Sequence, residues 1–231
     1  YQWYVDGVAQ SATNLSYSET AGIPFMIGGD DGGSENEFFQ GFIDDVVLYK
    51  SALTSYDVDN VMNGIYDLTV TLTTLETPVD YTEPTAWSDG LAAHSGARYV
   101  IPSTGNLRSE PGSSSFPGLS LTVEPGGKYQ VRATGSDVTT VDELILSGGT
   151  GASHALLAAG TGNNAVNTIG GKITNAGRSK LISYGGDINR DLKVLSQIAG
   201  GGTLVAGGGA TVMLDNSANT FSGTWQTENG A

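Results

Sequence analysis

Residues 66–73, Tyr-Asp-Leu-Thr-Val-Thr-Leu-Thr, alternate apolar and polar side chains over eight positions. That is the period of a strand with one face buried and one in water. Short strands with apolar residues recur at 98–101, 144–146, 166–169, 181–182 and 204–205. Near the start, two apolar runs between Trp3 and Ala9 flank Asp6-Gly7, the strongest short-range signal for a two-residue hairpin. Further strands are predicted at 24–28 and 42–49. Only one helix is signalled: Thr54 stands at the N-cap with Asp57 three residues on, Leu53 and Val58 take the staple positions, and Gly64 supplies the stop.

Glycine, at 34 of 231 residues, is about twice its usual share and lacks the collagen period, so it marks tight turns between many short strands. Gly-Gly pairs begin at Gly126, Gly148 and Gly170, 22 residues apart, and a second set at Gly185 and Gly207 keeps that interval. Blocks of this size ending in short apolar strands predict the coils of a β-solenoid, each adding about 4.8 Å of height. The phase change between Gly170 and Gly185 implies one irregular coil. Residues 76–118 hold Pro78, Pro84, Pro102, Pro111 and Pro117 and read as loops around one strand. The expected organisation is therefore 1–64, then a β-rich linking or capping region at 65–125, then solenoid coils of about 22 residues at 126–231.

The stretch GFIDDVVLYKSALT at 41–54, with YVDG at 4–7, IGG at 27–29 and ALTSYDV at 52–58, resembles the C-terminal half of a laminin-G-like (concanavalin A-like) jelly roll. Members of that family bind glycans or protein ligands, some through calcium, and others serve as spacers. Residues 200–209, GGGTLVAGGG, followed by NTFSGTW at 219–225, resemble the autotransporter-associated β-strand repeat. That resemblance implies a right-handed β-helix displayed outside a bacterial cell. The expected fold class is all-β, a partial jelly-roll sandwich followed by a right-handed β-helix.

Charge narrows the partners. With 24 acidic against 10 basic residues the net charge is −14, which argues against nucleic acid and anionic membranes and favours cations. The absence of Cys removes disulfide and thiol chemistry, and no apolar run reaches the roughly 18 residues of a membrane span. Calcium, a hard cation that takes oxygen donors from a flexible loop, is the expected ligand of Asp30, Asp31, Glu35 and Glu37. The laminin-G resemblance adds Asp44. Trp3, Tyr4 and Trp87 are the candidates for stacking on sugars, with Trp225 behind them, although core packing is the commoner fate of such rings.

Catalytic signals are weak. His94 and His154 lie in no nucleophile motif, and Ser153-His154 lacks the G-x-S-x-G elbow. Adjacent strand carboxylates such as Asp44 and Asp45 point to opposite faces, so they do not flank one glycosidic bond. Arg178, Lys180, Arg190 and Lys193 offer the basic residue of a β-helix lyase without an accompanying cluster of Asp. The sequence thus predicts a non-catalytic, secreted or surface-displayed bacterial protein of structural or adhesive role. A carbohydrate-binding appendage of a secreted enzyme is the alternative, and a β-helix polysaccharide lyase the third reading. Expected partners are copies of the chain itself or the rest of a larger parent protein, together with glycans. Unpaired strand edges in a half-sandwich, and an uncapped last coil, motivate that expectation.

Overall fold

The computed structural model describes residues 4–5, 8–10, 41–43, 46–47, 49, 53–64, 68–149, 153–186 and 189–228. The chain divides into two compact units, Tyr1–Tyr66 and Asp67–Ala231.

In the first unit, β1 (Tyr4–Val5) and β2 (Val8–Ala9) pair antiparallel, Tyr4 opposite Ala9 and Val5 opposite Val8. Two residues separate them, as the Asp-Gly signal requires. Helix α1 (Ser55–Met62) starts from a complete capping box. Thr54 Oγ1 accepts the Asp57 N–H at 3.2 Å, and the Asp57 carboxylate accepts the Thr54 N–H at 2.9 Å. Two orphan donors of the first turn are thereby satisfied. Gly64, at φ +78°, turns the chain out of the helix in a conformation that a side chain resists. The strand expected at 42–49 is not seen among the described residues of that stretch, and Phe42, Ile43, Val46 and Val47 are exposed. Apolar alternation makes a strand only where a neighbour accepts its backbone hydrogen bonds. The strand expected at 24–28 falls outside the described residues.

The second unit is a β-solenoid of about six coils, and at about 4.8 Å per coil it is about 29 Å long. Its strands are β3 (Thr69–Thr71), β4 (Val79–Asp80), β5 (Arg98–Ile101), β6 (Asn106–Arg108), β7 (Ser114–Ser115), β8 (Ser120–Val123), β9 (Lys128–Val131) and β10 (Thr139–Leu146). They continue as β11 (Ala155–Ala159), β12 (Ala165–Ser183), β13 (Arg190–Val194), β14 (Gln197–Gly208), β15 (Val212–Leu214) and β16 (Thr224–Thr227). All pair in parallel with strands of neighbouring coils, along three faces. The first face runs through β3, β5, β8 and the end of β10, and the second through β4, β6, β9, β11 and the end of β12. The third joins β7, the start of β10, the start of β12, β13 and β15.

Inward residues stack in columns. Val70, Tyr99, Leu121, Leu144, Ile173 and Ile198 face one another in successive coils of the first face, and all are buried. Leu107, Tyr129, Leu157 and Leu181 do the same on the second face. Each such side chain contributes about 1.5–3 kcal/mol relative to exposure, and each is covered only because its neighbours above and below are in register.

Parallel pairing begins at Thr69, so residues expected to form a linking region already build the first coils. The register advances by 22 residues where Arg98 meets Ser120 and Asn106 meets Lys128, but by 30 where Thr139 meets Ile169 and by 20 where Leu192 meets Val212. The equal spacing of the Gly-Gly pairs is therefore not the coil register: Gly170 faces Thr140, and Gly149 bridges to Arg178. The glycines that stack are Gly148, Gly177, Gly202 and Gly223, at a corner where a Cβ on any of the last three would strike the carbonyl oxygen of the one before.

The first coil is covered by its own loop. Residues 86–88 run antiparallel beside β3, with Thr73 N–H donating to Ala86 O at 2.7 Å and Ser88 N–H to Thr71 O at 2.9 Å. At the other end, every residue of β16 is exposed. Trp225, opposite the buried Leu204, is 41% accessible and packs edge-on against Phe221 at 5.2 Å.

Candidate functional site

Of the residues expected to hold calcium, Asp30, Asp31, Glu35, Glu37 and Asp44 all lie outside the described residues, as does Trp3 among the sugar-stacking candidates. For Tyr4 the backbone is placed, in β1. Trp87 is a correction. It is 3% exposed, its Nε1 donates to Tyr81 O at 2.9 Å, and its ring meets Tyr99 edge-on at 4.7 Å. Tyr99 in turn packs on Phe116, and Phe116 on Tyr81, so the indole closes an aromatic cluster over the first coils. Antiparallel pairing at Leu72 turns Trp87 inward, which no local pattern announces. Trp225 is the exposed tryptophan of the solenoid.

His94 belongs to the same cap. Its Nε2 lies 3.0 Å from Asp89 Oδ2 and its Nδ1 2.9 Å from Ser95 O. Both ring nitrogens are thus engaged by groups that orient the ring. His154 Nε2 accepts a hydrogen bond from Arg178 Nε at 2.8 Å. The other basic candidates are anchored too: Lys180 on Glu228, Lys193 on Asp215 at 2.9 Å, and Arg190 Nε on Gly162 O at 3.0 Å. Among the described residues, no group of three His, Asp or Glu side chains converges as a metal site. No described helix is long and apolar enough to cross a membrane.

Two open clefts lie on the solenoid. One of about 380 Å³ is lined by small residues from Ala206 to Val212 and by Thr227 and Glu228 of the last coils. The other, of about 360 Å³, runs along the third face past Val138, Val166, Lys193, Leu195 and Met213. Ser136, Asp137 and Thr168 also line the second cleft, where Lys193 is paired with Asp215 and Asp137 accepts a hydrogen bond from Ser113 Oγ at 2.8 Å.

The outer side of the second face is more distinctive. Lys128 in β9, Leu156 in β11 and Lys180 in β12 stand in one column, coil above coil, with Arg178 two residues before Lys180 on the same outward side. One coil below Lys128, Arg108 shares the Asp80 carboxylate with Arg132: Arg108 Nε lies 2.8 Å from Oδ1, and Arg132 Nη2 2.8 Å from Oδ2. Lys180 reaches across Gly207 to Glu228, where a larger residue would obstruct its methylenes. The hydrogen bond from that ammonium holds the Glu228 carboxyl below the usual carboxylate range. Sequence reading noticed Arg178 and Lys180 as possible bases, but missed that parallel register gathers them with Lys128, Arg108 and Arg132.

No curated protein and no solved structure matches the chain. Residues 1–59 match the family model of the Concanavalin A-like lectin/glucanases superfamily, which agrees with the jelly-roll resemblance read from the N-terminal motifs.

Proposed function

We propose that this chain is a non-catalytic, extracellular adhesive or structural element, in which the concanavalin A-like segment binds carbohydrate and the solenoid serves as a stiff spacer. The observation that supports it is the combination of a lectin-superfamily match at 1–59 with a solenoid whose inward columns are closed coil by coil. Such a stack bends little, because tilting one coil opens a packed aliphatic column. Glycan-array binding by the full chain tests the reading. Retention on neutral glycans that is lost in Trp3→Ala or Tyr4→Ala supports it, and a folded chain that binds no glycan overturns it.

The superfamily's enzymes favour one further reading, a carbohydrate-binding appendage of a larger secreted enzyme. Soluble polysaccharide bound by a strictly monomeric chain favours that alternative. Release of unsaturated product from an anionic polysaccharide, lost in Arg178→Ala or Lys180→Ala, overturns the non-catalytic assignment altogether.

Calcium is part of the proposal. Asp30, Asp31, Glu35, Glu37 and Asp44 supply the oxygen donors, and an ion bound only by the folded chain raises stability by about 2.7 kcal/mol at a hundred times its dissociation constant. Melting with calcium and with chelator measures it, and coincident curves remove the site. Assembly is the other part: we infer contact with copies of the chain or with the remainder of a larger protein, supported by the exposed apolar residues of the first unit.

A further inference from the structure

We propose that the outer surface of the solenoid's second face binds a linear polyanionic polysaccharide, one carrying carboxylate or sulfate groups. The inference concerns the solenoid alone and does not depend on ligand binding by the N-terminal segment. In a chain with 10 basic and 24 acidic residues, five of the ten, Arg108, Lys128, Arg132, Arg178 and Lys180, line this one surface. Among the described residues, Asp80, Glu110 and Glu228 are carboxylates beside this strip, and each has a partner. Asp80 is divided between two arginines, Glu228 takes Lys180, and Glu110 accepts from Thr82 Oγ1. Lys128 has no acidic partner among the described residues, and Arg178 Nε bonds an imidazole nitrogen instead of a carboxylate. Among the described residues, the five cations of this strip outnumber those carboxylates on a molecule that is negative as a whole.

Geometry selects the occupant. Lys128 and Lys180 are two coils apart in one column, about 9.6 Å, and the coils of Arg108 and Lys180 are about 14 Å apart. Leu156 and Ile182 stand among the cations as flat apolar positions against which the C–H face of a sugar ring packs. A narrow chain with one anionic group every residue or two fits such a strip. Duplex nucleic acid is wider, and its phosphates would approach the acidic remainder of the surface.

The test uses the full 231-residue chain against immobilised polygalacturonate and heparin, with neutral dextran and duplex DNA alongside. Retention on the two polyanionic glycans at low salt, screened away at high salt, and absence of retention on dextran are expected. Lys128→Gln combined with Lys180→Gln weakens binding about fivefold, from two exposed charge contacts. Glu228→Gln, which frees Lys180, strengthens it. Lys172→Gln on the first face removes the same charge elsewhere and leaves binding unchanged. Melting curves verify that each variant is folded, and Lys128→Gln alone serves if the double variant is not. The proposal is overturned by failure to bind either polyanion at low salt, by an equal loss in Lys172→Gln, by weaker binding in Glu228→Gln, or by preference for DNA. Loss of neutral-glycan binding in Trp3→Ala bears on the N-terminal segment only, so the two readings fail separately.

Discussion

Tyr129 points its phenol into the solenoid between Leu107 and Leu157, and its hydroxyl is buried without a hydrogen-bond partner. Burial drives its ionisation far above the usual range, so the group is a neutral, unsatisfied polar atom in an aliphatic column. Removing such an atom costs no bond and relieves its desolvation. Tyr129→Phe is therefore expected to leave the melting temperature unchanged or raise it, and a clear fall in thermal unfolding would show a missed partner. Glu143 behaves oppositely. Partial burial by itself raises its pKa, but hydrogen bonds from Lys172 Nζ at 2.8 Å and Thr174 Oγ1 at 2.6 Å outweigh that and hold the carboxyl below the usual range. A depressed folded value means that this stabilisation is present above the unfolded pKa of the group and is lost as pH falls through the folded one. Denaturant melts across the acid range should show a shallower loss in Glu143→Gln than in the parent; identical slopes would show that the pair contributes nothing.

Among the elements, the corner column of Gly148, Gly177, Gly202 and Gly223 is the least tolerant. A Cβ at Gly177 meets the backbone of Gly148, and backbone in a paired coil has no free direction in which to yield. Gly177→Ala is expected to cost about 1–3 kcal/mol, in the range of overpacked cores, measured as a lower denaturation midpoint at constant slope. Helix α1 offers a local comparison, because replacing the N-cap in Thr54→Ala removes the bond to the Asp57 N–H and costs about 1 kcal/mol of that unit's stability. The cap was legible in the sequence, since it involves residues three apart. The glycine column was not: its members are 29, 25 and 21 residues apart, an interval visible only once the lengths of the intervening turns are known. Regular Gly-Gly spacing suggested an order that the coils do not follow.

At the scale of the molecule, the two units differ in how they meet water. The solenoid covers its first coil with residues 86–88 and its own aromatic cluster, whereas the first unit exposes Phe42, Ile43, Val46 and Val47. Those four residues sit close in sequence and give the unit a surface that water disfavours. The full chain is accordingly expected to associate as its concentration rises, and Phe42→Asp with Val46→Asp to reduce that association. Native mass across a dilution series reads the outcome, and a parent chain that is monomeric throughout removes the role assigned to these residues. Because the aliphatic columns of the solenoid lie wholly within 67–231, a fragment starting at Asp67 is expected to melt cooperatively near the corresponding transition of the full chain.

Sequence by itself determined the all-β class, the pairing of β1 with β2, the capping box at Thr54, solenoid strands β3, β5, β10, β12 and β14, and the likeness of residues 1–59 to the concanavalin A-like superfamily. Each depends on residues a few positions apart, where side-chain period, turn chemistry and capping act directly on the backbone. Tertiary structure alone decided that 68–125 belongs to the solenoid, that Trp87 is core, and that Lys128, Arg178 and Lys180 share a surface with Arg108 and Arg132. The first and last of those outcomes rest on hydrogen bonds between coils 20 to 30 residues apart, and the burial of Trp87 on antiparallel pairing with Leu72 in the same coil. Their register is set by which columns of side chains close against one another around the whole stack, and a local pattern of apolar and polar residues does not carry that information.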